Sequence, residues 1–249
     1  MAVLDGMIAN VALPTIANDL GTSAANSIWV VNAYQLVIAV SLLPLASLGD
    51  LWSYRRIYLI GLAVFSAMSI VCALSDSLLQ LTLARMLQGL GAAAVMSVNG
   101  ALTRLIYPRA RLARGVALNT LIVSVAAAAG PSVAAVILSL ASWPWLFAVS
   151  APVGLLALLM GWKFLPANEG VPSLRFDLPS AVLNVLTLGC FFMAVTGVAQ
   201  GHAGWWLVLP VLIGVPLGWL FVRRQLSRSM PLLPVDLLRI PIFALSICS

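Results

Sequence analysis

Charge is scarce in this chain. Of its 249 residues, 13 are Lys or Arg and 7 are Asp or Glu, 8% together, and there is a single His. Soluble domains of ordinary composition carry about 25% charge. With 62% apolar residues and a mean hydropathy of +1.08, a soluble globule would lack the polar coat its surface requires. Disorder is excluded as well, since it needs low hydrophobicity and high charge. Cysteine is rare: Cys72, Cys190 and Cys248 each lie in an apolar run without metal-ligand spacing. They read as small buried hydrophobes rather than as a disulfide framework or a zinc site. His202 has no partner cluster, so neither a metal nor a cofactor is expected. An isoelectric point near 9.9 raises nucleic-acid binding, but a net charge of +6 over 249 residues is too sparse for that.

Long apolar runs are what the chain does have. A bilayer core about 30 Å thick needs about 20 apolar residues in a helix. Runs of that kind fall at about 1–18, 28–48, 57–75, 78–101, 114–138, 145–164, 179–200 and 205–222, with a ninth starting near Ile240. The connectors carry turn chemistry, as in Asn18-Asp19-Leu20-Gly21, Gly49-Asp50, Ser75-Asp76-Ser77, Tyr107-Pro108-Arg109 and Gly201-His202-Ala203-Gly204. A β-barrel would show alternating strands of about ten residues, and these runs are longer and continuous. An all-α transmembrane fold is expected.

The basic residues then fix a direction. Arg55 and Arg56 follow span 2; Arg104, Arg109, Arg111 and Arg114 follow span 4; Lys163 and Arg175 follow span 6; Arg223, Arg224, Arg228 and Arg239 follow span 8. That is 12 of the 13, all after even-numbered spans, whereas the connectors after odd spans hold Asp19 and Asp76 and no basic residue. The positive-inside rule puts the even connectors and the start of the chain in the cytoplasm. The basic balance is thus a topology signal, with some attraction to anionic lipid. Both ends read as interrupted. Asp5 comes four residues after Met1, so span 1 starts mid-membrane, and the run from Ile240 to Ser249 is ten residues, too short to cross. No basic leader or small-residue cleavage site is evident, so a signal peptide is not expected. The expectation is a fragment.

Two charges remain inside the spans. Asp5 lies roughly 20 Å from the outer end of span 1 and Arg85 roughly 10–14 Å from the outer end of span 4, at 1.5 Å per residue. Charges at such depth cost several kcal/mol in lipid and should face a bundle interior or water. Their opposite signs point to a mutual interaction or a shared polar cavity. Desolvation and a nearby guanidinium pull a carboxyl's proton affinity in opposite directions, so a carboxyl so placed can load and release a proton. Asn10, Asn32, Tyr34, Gln35, Gln88 and Asn119 add polar points on spans 1, 2, 4 and 5 and are candidates to line a substrate cavity; helix–helix hydrogen bonding is the plainer use for each. Gly89, Gly91 and Ala92–Ala94 in span 4, and Ala126–Ala129, Gly130, Pro131 and Ala134–Ala135 in span 5, allow close helix approach. Pro131 removes a helix hydrogen bond and should bend span 5.

At these residues the chain resembles the major facilitator superfamily, and within it the fourteen-span drug–proton antiporter branch. Leu4-Asp5-Gly6-Met7-Ile8-Ala9-Asn10-Val11-Ala12-Leu13-Pro14 is similar to the branch's L-D-x-T-I-V-N-V-A-L-P, with Met7 in place of Thr. Leu48, Asp50, Arg55 and Arg56 match the superfamily loop G-x-L-x-D-R-x-G-R-K/R, while Ala46, Leu51, Ser53 and Tyr54 depart from it. Arg85-Met86-Leu87-Gln88-Gly89-Leu90-Gly91-Ala92 matches R-x-x-Q-G-x-G-A. Gly130-Pro131 keeps the centre of G-x-x-x-G-P-x-x-G-G, whose flanking glycines are Ala126, Ala134 and Ala135 here. Trp143-Pro144-Trp145-Leu146-Phe147 with Pro152 and Gly154 resembles W-R-W-I-F…N-x-P-x-G, with Pro144 for Arg and Ser150 for Asn.

The resemblance implies an N-terminal six-helix transporter half over 1–164 with its first span truncated, a cytoplasmic linker 165–178, an extra central pair of spans over 179–222, a cytoplasmic loop 223–239 and the start of the next span at 240–249. It implies a bacterial-type cytoplasmic (inner) membrane protein that is not an enzyme. It would exchange protons for small lipophilic, often cationic drugs or biocides. Asp5 would carry the proton and Arg85 would tune it. Asp50, Arg55 and Arg56, with Gly89, Gly130 and Pro131, would form the conformational gate. Alternating access needs two halves rocking about a midplane site, so a chain without its C-terminal half should not transport alone. A metabolite exporter of the same superfamily, or a non-transporting membrane remnant or structural subunit, are the alternatives.

Overall fold

The computed structural model describes residues 1–170, 176–200 and 205–226, without the side chains of residues 206 and 207. Arg175, His202, Arg228, Arg239, Cys248 and the ninth span expected from Ile240 lie outside the described residues. The elements are α1 (Ala2–Asp19), α2 (Ala24–Ser27), α3 (Trp29–Trp52), α4 (Tyr54–Ala73), α5 (Leu78–Ile106), a short 3-10 turn (Arg109–Arg111), α6 (Leu112–Leu140), α7 (Pro144–Ala148), α8 (Ser150–Phe164), α9 (Leu178–Ala199) and α10 (Trp205–Leu226). No strand occurs among the described residues. The all-α transmembrane fold read from the apolar runs is what the structure shows. Seven described segments are long and apolar enough to cross a membrane. Helix α1 is not one of them: its 18 residues include Asp5, Asn10, Asn18 and Asp19, which lower its average apolarity.

Helix starts follow local chemistry. Ser23, Ser53, Ser77 and Asp177 each accept a hydrogen bond from the backbone N–H three residues on, capping α2, α4, α5 and α9. At α5 the Gln80 side chain returns a bond to the N–H of Asp76, at 3.2 Å, close to a capping box. Helix α6 runs unbroken from Leu112 to Leu140 through Pro131, so the missing N–H removes one bond without ending the helix.

The chain divides into two compact units, Met1–Pro172 and Ser173–Ser249. In the first, α5 packs against α3 and α4, α1 against α6, and α4 against α7 and α8. Asp5, Ile8, Ala9, Ala12 and Ile16 are buried on α1, one stripe at helical spacing. The apolar four join Val30, Cys72, Leu81, Ala84, Ala134, Trp143, Leu146 and Phe147 in the principal core. At the C-terminal end of α1, Asp19 accepts a 2.6 Å bond from Trp143 Nε1. In the second unit α9 and α10 form a helical pair. Gly214 and Gly218 of α10 lie against Cys190 and Thr187 of α9, the small-residue contact that lets membrane helices approach. Arg224 Nη2 and Nε donate to Asp177 Oδ1 and Ser180 Oγ, both at 3.1 Å. Partial burial opposes ionisation of Asp177, but the bonds from Ser180 and Arg224 outweigh it and hold the carboxyl below its ordinary value.

Close approach of α4 and α5 depends on glycine. A Cβ on Gly91 would lie 2.6 Å from Phe65 N and 2.7 Å from the Gly61 carbonyl oxygen, whereas one on Gly100 would meet nothing within 4 Å. Overpacking of this kind costs about 1–3 kcal/mol. Gly91→Ala should therefore lower the thermal unfolding midpoint of the detergent-solubilised chain. Gly100→Ala should leave it unchanged or raise it, because Ala favours helix by up to about 1 kcal/mol over Gly.

Candidate functional site: a buried ion pair between four helices

Four long helices and α7 deliver side chains to one buried point. Asp5 comes from α1, Tyr34 and the Val30 carbonyl from α3, Ser69 and Cys72 from α4, Arg85 and Gln88 from α5, and Phe147 from α7. Arg85 and Gln88 are 0% exposed and Asp5 is 2% exposed. Their positions on α5 are one turn apart, so both face α1.

Arg85 Nη1 donates to Asp5 Oδ2, forming a salt bridge. The same Nη1 donates to Gln88 Oε1 at 2.6 Å, and Nε donates to the Val30 carbonyl at 3.4 Å. Gln88 closes the set: its Nε2 donates to Asp5 Oδ1 at 3.3 Å and to Ser69 Oγ at 2.8 Å. Ser69 Oγ donates in turn to the Phe65 carbonyl at 2.8 Å, and Cys72 Sγ donates to Gln88 Oε1 at 3.6 Å. The guanidinium carbon of Arg85 stands 3.8 Å from the centroid of the Tyr34 ring and 5.4 Å from that of Phe147. Tyr34 itself is held by its hydroxyl, which donates to the Ala2 carbonyl at 3.1 Å. Burying a charge without partners is prohibitive; here the amide of Gln88 serves both members of the pair. Among the described residues no group of His, Cys, Asp or Glu could hold a metal ion.

The other sequence-derived positions fall elsewhere. Of the polar cavity candidates, Tyr34 and Gln88 join the pair. Asn10 and Gln35 are exposed, and Asn32 and Asn119 are half-buried. Gly89 faces α3, where a Cβ would lie 2.9 Å from the Tyr34 carbonyl oxygen. Gly130 faces α1, where a Cβ would lie 2.6 Å from Met7 Cβ; its neighbour Pro131 is exposed.

In the loop between α3 and α4 the charged residues do not meet one another. Asp50 Oδ1 accepts from the Tyr54 hydroxyl at 2.6 Å. Arg55 Nη2 donates to the Trp162 carbonyl at the end of α8, and Arg56 is exposed. Asn168 Oδ1 accepts from Ser53 Oγ at 3.0 Å and from the Arg55 N–H at 3.2 Å. Ser53 has φ 154°, a conformation that favours glycine and costs of order 1–3 kcal/mol in other residues. It occupies the place where the superfamily loop has Gly.

Comparison with known proteins follows the same lines. The model of the Major Facilitator Superfamily matches residues 1–238. The chain belongs to this superfamily. It is 58% identical over 250 aligned positions to the protein named Uncharacterized transporter YebQ of Escherichia coli (strain K12), covering 100% of this chain and 55% of that protein. It is 34% identical to Multidrug resistance protein Stp of Mycobacterium tuberculosis (strain ATCC 25618 / H37Rv), covering 100% of this chain and 47% of that protein. It is 32% identical to Putative multidrug resistance protein MdtD of Salmonella newport (strain SL254), covering 99% of this chain and 53% of that protein. The chain thus spans about half the length of the curated relatives it matches. Membership makes this a multi-pass membrane chain of a transporter family, not an enzyme.

Sequence reasoning singled out Asp5, Arg85 and Gln88 but passed over Ser69, Cys72, Phe147 and the Val30 carbonyl. Phe147 carried a signal, its four-residue spacing from Trp143 in W-x-W-x-F; a backbone carbonyl and a single serine carry none.

Removing one member of a buried ion pair costs about 3–5 kcal/mol, because the other charge is left uncompensated. Arg85→Leu should therefore destabilise the chain strongly. Adding Asp5→Leu to it should restore much of the loss. Thermal unfolding of the two singles and the double in detergent gives the coupling; strict additivity would refute a coupled pair.

Proposed function

We propose that this chain is the N-terminal portion of a proton-coupled exporter of lipophilic, often cationic drugs or biocides. The observation that carries the reading is the buried Asp5–Arg85 pair bridged by Gln88. A carboxylate enclosed by helices, with a guanidinium as partner and an amide touching both, can accept a proton without water rushing in. Loss of its charge releases α1 from α5. Proton binding is thereby converted into a helix displacement, which is what coupling requires. Two relatives bearing multidrug resistance names support the substrate class.

The remaining assignments fit this reading. The basic residues cluster at the start of α4, around the turn from α5 to α6, and at the ends of α8 and α10, which supports cytoplasmic even connectors in a bacterial-type inner membrane. Residues 1–164 form the first transporter half and 179–222 an added pair of spans, with 165–178 and 223–239 as cytoplasmic connections. Asn10, Asn32, Tyr34, Gln35, Gln88 and Asn119 line or support the substrate path. Asp50, Arg55 and Arg56, with Gly89, Gly130 and Pro131, serve the conformational gate, and Asn168 holds its loop. Transport by rocking needs a second half, so these 249 residues alone do not transport.

Asp5→Asn keeps the shape of the carboxyl and removes the titration. In vesicles containing the complete transporter, with ethidium as the exported cation, it should abolish ethidium-driven proton movement and slow export at least about tenfold, as loss of a coupling step of 1.4 kcal/mol or more would. Export with unchanged pH dependence would sink the proton role.

A further inference from the structure

Protonation of Asp5 leaves a buried cation without its counter-charge. When Asp5 is protonated, Arg85 stays charged in a site where it is 0% exposed. The titratable and charged groups that face this point are Asp5 of α1, Tyr34 of α3, Cys72 of α4 and Arg85 of α5, together with the Met1 amino group, which acts electrostatically on Asp5. Helix α7 brings the uncharged Phe147. Among the described residues no second carboxylate stands by to replace Asp5. Hydrogen bonds do not saturate the guanidinium either: Nη2 is buried without a partner, and the Nε bond to Val30 is long, at 3.4 Å.

The Tyr34 ring supplies what is left. The guanidinium carbon is 3.8 Å from its centroid, well inside the reach of a cation–π contact of about 6 Å. The ring cannot swing away: Tyr34 is 2% exposed and packs with Phe65 of α4 and Ala92 of α5. The negative face of an aromatic ring attracts a cation without bearing a formal charge that could capture the proton.

We propose that Tyr34 is a positioning residue for coupling, its ring holding the Arg85 guanidinium in place while Asp5 exchanges its proton. The inference rests on Asp5 being the proton carrier. With Arg85 pinned to α3 and to Gln88 on its own helix, the element free to move on protonation is α1. Without the ring, Arg85 shifts toward other acceptors when Asp5 is neutral, and proton return is no longer tied to the position of α1. Export then slips: substrate moves with fewer protons returned.

Stepwise fluorination of a phenylalanine ring at position 34 tests this, because fluorine drains the ring face while barely changing shape. Tyr34→Phe is the reference for the series, and Tyr34→Leu removes the ring. In vesicles containing the complete transporter, protons moved per ethidium exported should fall progressively with fluorination. At the trifluorinated ring and in Tyr34→Leu the ratio should fall about tenfold or more, the equivalent of losing most of a desolvated cation–π contact. A purely structural role would lower export and proton movement together and leave their ratio flat, and a flat ratio overturns the proposal. Thermal unfolding of the same series in detergent reads the contact independently of any substrate. The midpoint should fall stepwise, and the dependence should vanish in an Arg85→Met background; a midpoint insensitive to fluorination also overturns it. If Asp5→Asn leaves the ratio unchanged, the proton-carrier reading fails. If Asp5→Asn collapses the ratio while fluorination does nothing, only the role of Tyr34 fails.

Discussion

A salt bridge with no access to water organises the first unit of this chain. Taking a carboxylate and a guanidinium out of water costs several kcal/mol per ion even after relaxation, and their attraction repays this only when the remaining donors and acceptors are also satisfied. That requirement explains why α1, α3, α4 and α5 converge where they do. Asp5 and Arg85 need Gln88 between them, Gln88 needs Ser69, and Arg85 needs the Val30 carbonyl and the Tyr34 ring. Each partner comes with a helix attached, and the polar cluster thereby sets the relative placement of helices whose apolar faces alone would tolerate sliding.

Small residues make such convergence sterically possible. Gly89 lies against the α3 backbone, Gly91 against the α4 backbone at Gly61 and Phe65, and Gly130 against Met7 of α1. Between membrane helices lipid is as apolar as leucine, so close packing and interhelical hydrogen bonds have to supply the attraction. The same reasoning holds within the second unit, where Gly214 and Gly218 meet α9 and the Asp177–Ser180–Arg224 cluster ties the helix ends together.

The loop between α3 and α4 shows how departures from a family pattern acquire partners of their own. Tyr54 stands where the pattern has Arg, and it is Tyr54 that takes Asp50. Ser53 stands where the pattern has Gly and holds a strained backbone, offset by the bond from its hydroxyl to Asn168 and by its capping of α4. Asn168 lies 115 positions beyond Ser53, and no local feature of the sequence marks it as a partner.

Helical class, superfamily and the singular character of Asp5 and Arg85 were all legible in the linear sequence. Hydrophobic length and the scarcity of charge are sums over neighbouring residues, and a charge within an apolar run is anomalous wherever the run ends up. Which groups share one point in space was decided by the tertiary structure alone. Tyr34, Gln35, Asn32, Asn10 and Asn119 look alike as polar residues in apolar runs, yet only Tyr34 reaches Arg85; a residue's direction depends on how its helix is rotated about its own axis, and that rotation is set by the packing of all the others. The partners Ser69, Cys72, Phe147 and the Val30 carbonyl became visible for the same reason: hydrogen bonds and ring contacts act over a few ångströms of space, and chain separation, here 80 positions between Asp5 and Arg85, carries no record of them.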